Sequence, residues 1–162
     1  MKIVLDPNAT LPRRATPGSF GYDLALLSDT VVKSHETVLA PCGLQLGEDL
    51  PYSRRRGLAM MILPRSSLWK AGLIVVNAPG LIDADYAESI LVLLHSVAPP
   101  AAELHAFRRN HTDRTPPSWR VQLPKGTRVA QAVFVECHFP SLRSVRYPDP
   151  RRTRGGLGST GR

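Results

Sequence analysis

The chain has 162 residues, with 21 Lys and Arg against 13 Asp and Glu, which gives a formal net charge of +8. This length predicts a single domain with its own hydrophobic core and excludes a large multidomain enzyme. Because 43% of the residues are hydrophobic and 21% are charged, the composition is that of a folded chain rather than a disordered one. The 15 Pro and 12 Gly residues argue against long helices and against an all-helical bundle.

Short apolar or β-branched runs, closed by Gly or Pro, recur along the chain and predict an all-β fold. None of these runs has a sustained helical period. In chain order the predicted strands are residues 2–5, 30–39, 43–46, 57–63, 73–76, 89–95, 119–123 and 128–137.

Two segments stand apart from this pattern. Residues 99–118 are polar and basic with Pro at both ends, which predicts a surface insertion in the domain formed by residues 1–139. Residues 140–162 are rich in Arg and Gly and cannot build a core. Taken alone, this tail is either an electrostatic arm for nucleic acid or a glycine-rich flap that closes on phosphate.

The sequence shows no disulfide framework, secretion signal or membrane span, which bears on the cellular compartment. Cys42 and Cys137 have no metal-ligand spacing and are too few for a disulfide framework. The apolar run at the N-terminus is too short for a secretion signal, and no uninterrupted apolar stretch reaches the ~18 residues of a membrane span. We therefore expect a cytoplasmic or nuclear protein that does not contact membranes.

Two motifs in the first half carry chemistry suited to phosphate. Residues 15–24 place Asp23 after two glycines, where its carboxylate could hold metal-bound water or simply lie on the surface of a turn. The Pro64-Arg65-Ser66-Ser67 segment follows a strand and opens one predicted helical turn. Its backbone N–H groups, a hydroxyl and a guanidinium would face an anion together, unless it is only a helix cap.

Two further motifs follow. In residues 77–86, Asp83 and Asp85 point to the same side if the backbone is extended, with Asn77 before them and Tyr86 just beyond. Such a hairpin could hold a carboxylate against water and a ring against a sugar, or be a solvated turn with a packed tyrosine. Gln131 enters a predicted strand, where it either reaches a ligand or lies on an exposed face.

Taken together and in this order, the Asp23 segment, PRS, NxxGLIDxDY, RxAQ and GGxGSTG resemble the five motifs of the homotrimeric dUTPase (deoxyuridine triphosphate nucleotidohydrolase) family. The resemblance extends from about residue 15 to residue 161. It implies a small jelly-roll-like β-barrel that forms a homotrimer with active sites between subunits. Residues 140–162 would be a C-terminal arm that closes over a neighbouring subunit's site.

The resemblance also implies roles for individual residues. Asp83 would be the catalytic aspartate that activates water for in-line attack on the α-phosphorus of dUTP, which yields dUMP and pyrophosphate. Tyr86 would pack on the deoxyribose and exclude a 2′-hydroxyl. The hairpin that binds uracil would comprise Asn77, Gly80, Leu81, Ile82 and Leu91.

The phosphates would meet a different set of residues. Arg65, Ser66 and Ser67 match the family's phosphate-binding turn, and Gln131 matches an amide that touches the phosphates. Mg²⁺ would be carried mainly by the three phosphates and held by Asp23 through water. Three residues match the closing arm: Arg152 on the γ-phosphate, with Leu157 and Gly158 over the base.

Some positions depart from the family's pattern. Ser67 and Glu88 stand where the family usually has Gly, and Leu157 replaces an aromatic ring. An alternative is therefore a dUTPase-fold protein repurposed as an interaction or regulatory module, with a protein partner on the basic insertion 99–118. A dCTP deaminase of the same fold is disfavoured by the intact GLIDADY run, and no specific nucleic acid partner is expected.

Overall fold

The computed structural model describes residues 1–97, 118–144 and 146, and within these residues the chain forms eleven strands and one short 3₁₀ helix. The strands are β1 (Ile3–Leu5), β2 (Tyr22–Ala25), β3 (Thr30–Lys33), β4 (Thr37–Pro41), β5 (Leu44–Leu46), β6 (Arg56–Pro64), β7 (Leu73–Val75), β8 (Gly80–Ile82), β9 (Leu91–Ser96), β10 (Arg120–Leu123) and β11 (Arg128–His138). The 3₁₀ helix is Leu68–Ala71. The predicted all-β fold is confirmed.

The strands pair antiparallel throughout the described part of the chain. One sheet has the order β2-β11-β6-β8 and a second has the order β4-β9-β7, while β1 pairs with β5 and β3 with β10. The longest pairing joins β6 to β11, from Arg56 opposite His138 to Pro64 opposite Ala130. Because β11 also pairs with β2, and β6 with β8, these two strands place the sequence motifs relative to one another.

The core lies between the sheets and is built by strand alternation. In β9, for example, Val92, Leu94 and Ser96 are fully buried, whereas Leu91 at its start is exposed. The hydroxyl of Ser96 accepts a hydrogen bond of 2.8 Å from Nε1 of the buried Trp119. Since a buried polar group is costly without a partner, this bond fixes the segment before β10 against β9.

Three features differ from the strands predicted above. The segment 22–25 forms β2 and the segment 80–82 forms β8, although both are very short and lie inside motifs that favour turns. The predicted run 30–39 is two strands, because the chain turns at His35, which has a φ of 58°. The edge of the His35 ring packs on Trp119 at a centroid distance of 5.1 Å, which helps hold this turn.

Other predictions on local structure have simple outcomes. The helical turn predicted after Pro64 is the 3₁₀ helix, which ends at Gly72 in a left-handed conformation with a φ of 70°. No helix among the described residues is long and apolar enough to span a membrane. Apart from Ser118, the predicted insertion 99–118 lies outside the described residues, as do Arg152, Leu157 and Gly158 of the predicted arm.

Candidate active site

Asp23 is the centre of a polar cluster on the β2-β11-β6 part of the sheet. It lies opposite Gln131 of β11, and its backbone N–H donates to the carbonyl of Arg13 at 3.0 Å. Its side chain is 14% exposed, so the carboxylate faces the surface through a small opening. The register of β2 with β11 therefore brings the Asp23 motif and the Gln131 motif to one place.

Two guanidiniums hold the Asp23 carboxylate, one on each oxygen. Nη1 of Arg128 donates to Oδ2 at 2.9 Å, and Nη1 of Arg65 lies 3.0 Å from Oδ1. The Arg65 contact is an ion pair without the direction of a hydrogen bond, and this buried Nη1 has no hydrogen-bond acceptor among the residues that the structure describes. A buried donor of this kind is available to an anion that enters the cluster.

The amide of Gln131 completes this cluster. Its Nε2 donates to the carbonyl of Pro64 at 3.4 Å, which links it to the turn that carries Arg65. Its Oε1 lies over Gly21, where an added Cβ would approach it to 2.3 Å. Gly21 is therefore required for the position of this amide, and a side chain there would displace it.

The turn that follows β6 exposes two hydroxyls beside Arg65. Ser66 and Ser67 are both exposed, and Leu68 N–H donates to the Arg65 carbonyl at 3.1 Å as the 3₁₀ helix begins. Ser67 has a φ of −85° and a ψ of −10°. Because this is an ordinary right-handed conformation, the serine replaces the family's usual glycine without backbone strain.

A second group of predicted site residues lies around β8. Gly80 is buried opposite Ile62, and an added Cβ at Gly80 would lie 3.3 Å from Nδ2 of Asn77. The Ala78–Pro79 peptide bond before it is cis. The Asn77 amide thus lies against the backbone of Gly80.

The side chains along this hairpin have different degrees of exposure. Leu81 is 60% exposed and Leu91 is 38% exposed, while Ile82 is half-buried. The exposed residues leave apolar surface that a flat ring can cover.

Asp83 and Tyr86 lie in the turn after β8. Tyr86 N–H donates to the Asp83 carbonyl at 3.2 Å, and the half-buried Tyr86 ring directs its hydroxyl to the Ser89 carbonyl at 3.5 Å. The Ala84 carbonyl accepts from Leu50 N–H at 2.8 Å, which fixes the turn to the core. The Asp83 carboxylate is exposed, and no described residue forms an ion pair or hydrogen bond with it.

The site residues form two groups within one chain. Asp23 pairs with Gln131 of β11, and Gln131 in turn pairs with Leu63 of β6. Ile82, which directly precedes Asp83, pairs with Met60 of β6. Three strand spacings, roughly 14 Å, and three residues along the strands, roughly 10 Å, separate the two levels. The Asp23 cluster and the Asp83 turn are thus too far apart to contact one atom of a ligand in a single chain.

The metal requirements of the site can be tested against these residues. No group of three or more His, Cys, Asp or Glu side chains in the described ranges could hold a metal ion. Asp23 is a single carboxylate with both oxygens on guanidiniums. These residues fit a metal whose ligands come mainly from a bound polyphosphate and water.

Two residues of the cluster were not predicted from the sequence to be site residues. Arg128 lies inside the RxAQ segment, and Gly21 lies inside the Asp23 segment. Their functions depend on contacts between strands distant in sequence, namely Arg128 with Asp23 and Gly21 with Gln131. Strand alternation alone would place Arg128 and Gln131, three residues apart, on opposite faces. The register of β11 with β2 shifts between Arg128 and Ala130, which no local pattern predicts.

The fold and the Asp23 cluster define a class of protein, an all-β chain in which β2, β11 and the turn after β6 bring together a carboxylate, two guanidiniums and an amide. A sequence model described as dUTPase matches residues 7–109, more than half of the chain. The chain belongs to the dUTPase family, and the family predicted from its motifs is confirmed.

Known proteins agree with this assignment. A protein of Ectopseudomonas mendocina (strain ymp), named deoxyuridine 5'-triphosphate nucleotidohydrolase, is 36% identical over 168 residues, covering 98% of this chain and 94% of that protein. A mutant dUTPase of Staphylococcus bacteriophage 80alpha, solved with dUpNHpp, has a TM-score of 0.75 at 20% identity, covering 98% of this chain and 96% of that one.

A third comparison concerns a metal. A mutant dUTPase from phage phi11 of S. aureus, whose structure reveals the coordination of a structural Mg(II) ion, has a TM-score of 0.69 at 20% identity and covers 91% of this chain and 97% of that one. At these identities the two solved structures establish a shared fold.

Proposed function

We propose that this protein is a dUTP diphosphatase that hydrolyses dUTP to dUMP and pyrophosphate, which limits uracil incorporation into DNA and supplies dUMP. The observation that carries the proposal is the Asp23 cluster, in which Arg65, Arg128 and Gln131 surround one carboxylate beside an exposed serine turn. A relative 36% identical over nearly the whole chain is named for this activity.

In this proposal Asp83 orients and activates the water that attacks the α-phosphorus. Its carboxylate is exposed and has no partner among the described residues, so it is free to accept a proton from water. Tyr86 lies three residues on, with its ring held by the Ser89 carbonyl. A ring fixed in this way would pack against deoxyribose and leave no space for a 2′-hydroxyl.

The Asp23 cluster would bind the triphosphate. The buried Nη1 of Arg65, the Ser66 and Ser67 hydroxyls and the Gln131 amide are donors suited to phosphate oxygens. A bound Mg²⁺ would neutralise phosphate charge and favour attack at the α-phosphorus. Asp23 would hold a water of that ion once Arg65 turns from it to the phosphates, while Arg128 stays on Asp23.

The proposal includes a homotrimer in which each site takes residues from neighbouring subunits. It is supported by the separation of Asp83 from Asp23 within one chain, which a second copy would remedy. The outer face of the β4-β9-β7 sheet also exposes apolar side chains suited to burial against another copy, namely Leu39, Ile74 and Val76. In the trimer, Arg152, Leu157 and Gly158 would close over a neighbour's site.

The compartment is also part of the proposal. Both cysteines are free, and Cys42 is buried, which agrees with a reducing compartment such as the cytoplasm or the nucleus.

Pyrophosphate release from dUTP tests the proposal, with Asp83→Asn compared against Asp85→Asn. Both carboxylates are exposed and two residues apart, so the two variants change the same charge on the same turn. We expect Asp83→Asn to lower kcat by about 100-fold to 10,000-fold while dUpNHpp still binds. Asp85→Asn should retain most activity.

Two outcomes would contradict these assignments. Turnover in Asp83→Asn close to that of the unmodified protein would remove the catalytic role of this residue. Absence of pyrophosphate release from the unmodified protein with dUTP and Mg²⁺ would reject the enzyme and favour the interaction-module alternative.

A further inference from the structure

An arginine-rich turn lies at the end of β6 away from Arg65. Residues 53–56 form this turn, which carries Arg54, Arg55 and Arg56 in succession, all exposed. Ser53 N–H donates to the Arg56 carbonyl at 2.8 Å, and the Ser53 hydroxyl donates to the same carbonyl at 3.0 Å. The backbone that displays the three guanidiniums is therefore fixed. Because β6 has nine residues, the turn lies roughly 26 Å from the Asp23 cluster.

The charge of this turn is mostly unneutralised by the described residues. Arg56 lies 3.7 Å from Glu136 of β11. The side chains of Arg54 and Arg55 have no ion-pair or hydrogen-bond partner in the described ranges. Two free guanidiniums on a fixed backbone present a site for anions.

Two exposed aromatic rings stand beside these arginines. Tyr52 is 60% exposed and Phe139 is 47% exposed. They flank Gly57, where an added Cβ would lie 2.8 Å from Tyr52 Cβ and 3.2 Å from Phe139 Cζ. Phe139 N–H donates to the Arg55 carbonyl at 2.7 Å, which holds its ring next to the turn. Gly57 is thus what allows both rings to lie close to the same backbone.

A groove lies beside Tyr52 and Arg56. It has a volume of about 390 Å³, and its walls include Tyr52, Arg56, Leu58 and Glu136. This volume is within the range of sites that take small molecules. The groove combines the Tyr52 ring with the Arg56 guanidinium, against which Glu136 lies.

We propose that this surface, the arginine turn with Tyr52 and Phe139, binds single-stranded nucleic acid. Bases stack on the two rings, while Arg54 and Arg55 pair with successive phosphates. An acidic peptide would use the guanidiniums but not the rings. A duplex would keep its bases stacked on one another and leave the rings uncovered, so a single strand matches both halves of the surface.

Fluorescence anisotropy with labelled (dT)20 and the full chain tests the proposal, with dUpNHpp present to occupy the nucleotide site. The charge variant is Arg54→Gln with Arg55→Gln, and its matched control is Lys33→Gln with Lys125→Gln, which removes the same charge from two exposed lysines elsewhere. We expect the charge variant to weaken binding at least tenfold and to reduce the salt slope by about 1.4, the value for two phosphate contacts on a single strand. The control pair should change binding less than twofold.

The rings are tested separately. Tyr52→Ala should weaken binding of (dT)20 at least fivefold, and Tyr52→Phe should restore it, because stacking needs the ring and not the hydroxyl. Pyrophosphate release from dUTP should be unchanged in all of these variants, so the outcome is independent of the proposed enzyme activity. Equal losses in the two charge pairs, equal binding of a (dA)20·(dT)20 duplex, or absence of binding at 50 mM salt would each overturn the proposal.

Discussion

Asp23 illustrates how one residue can organise a charged cluster. Its carboxylate carries one negative charge between Arg65 and Arg128, so these three side chains together have a formal charge of +1. Arg65 is the partner that an incoming phosphate would need, and Arg128 is the partner that can remain on Asp23. Arg128 thus acts as a positioning residue in the proposed enzyme.

Removing Arg128 is predicted to weaken substrate binding. In Arg128→Gln, Arg65 becomes the sole cation on Asp23 and is held there more strongly. Since an ion pair with an exposed partner contributes up to about 1 kcal/mol, we expect KM for dUTP to rise about fivefold with a smaller change in kcat. Steady-state kinetics measure this change, with Arg120→Gln as the exposed control. An unchanged KM in Arg128→Gln would show that Arg65 does not depend on it.

Cys42 gives a prediction on pH. Burial raises the pKa of the Cys42 thiol from 9.0 to about 12. The unfolded chain would ionise this thiol near pH 9, whereas the folded protein keeps it neutral. The stabilisation is thus complete below pH 9 and is lost as the pH rises towards 12.

This effect can be isolated with Cys42→Ala. Between pH 8 and pH 10 we expect the free energy of unfolding of the unmodified protein to fall by about 1 kcal/mol more than that of the variant. Urea unfolding at both pH values measures this difference. Parallel pH dependences of the unmodified protein and the variant would contradict this expectation.

Burial also predicts the order of labelling of the two cysteines. Iodoacetamide should label Cys137 before Cys42 in the folded protein, because only Cys42 is fully buried.

At the scale of elements, Ser96 and Trp119 link two sheets that share no strand. Ser96 ends β9, and Trp119 directly precedes β10, which pairs with β3. The same tryptophan contacts His35 in the turn between β3 and β4. This small group therefore connects three elements at one end of the barrel.

We predict that Ser96→Ala lowers the free energy of unfolding by about 2 kcal/mol, because it leaves the buried Trp119 N–H without an acceptor. Chemical denaturation measures the change. Ser118→Ala, which alters an exposed serine next to Trp119, should change stability by less than about 0.5 kcal/mol. Similar losses in both variants would mean that the hydrogen bond is not the cause.

The sequence predicts the strands that lie in apolar or β-branched runs, including the three-residue β1, β5 and β7. β6, β9 and β11 follow from continuous β-branched or apolar runs. β2 and β8 were not predicted because they lie inside segments whose Gly and Pro favour turns, and they form where β11 and β6 provide partners. The break at His35 depends on contacts with Trp119 and could not be derived from local pattern.

At the scale of the whole molecule, the candidate site was predictable in its residues more than in its arrangement. Asp23, Arg65 and Gln131 come together as the motifs imply, because β2, β11 and β6 are neighbours. The separation of Asp83 and Tyr86 from them depends on strand order, which no local pattern encodes. Arg152, Leu157 and Gly158 lie outside the described residues, and their roles stay predictions.

The division of the site into two groups has a genetic consequence. In the proposed trimer, one subunit supplies Asp83 to a site and a neighbouring subunit supplies Arg65. A trimer that mixes Asp83→Asn and Arg65→Gln subunits therefore contains one site in which both residues are intact. Two inactive alleles would then complement each other. After denaturation and joint refolding of equal amounts, we expect roughly a quarter of the unmodified activity to return.

A matched mixture separates this effect from simple stabilisation. Asp83→Asn with Tyr86→Ala damages the same half in both partners, so no mixed trimer has an intact site and the activity should not exceed that of the two variants refolded separately. Absence of recovery with Arg65→Gln would place Asp83 and Arg65 of one site in the same subunit, and recovery in the matched mixture would show that the returned activity does not come from the division of the site. Because each site is divided between subunits, a cell carrying two defective copies of this gene would retain a working enzyme.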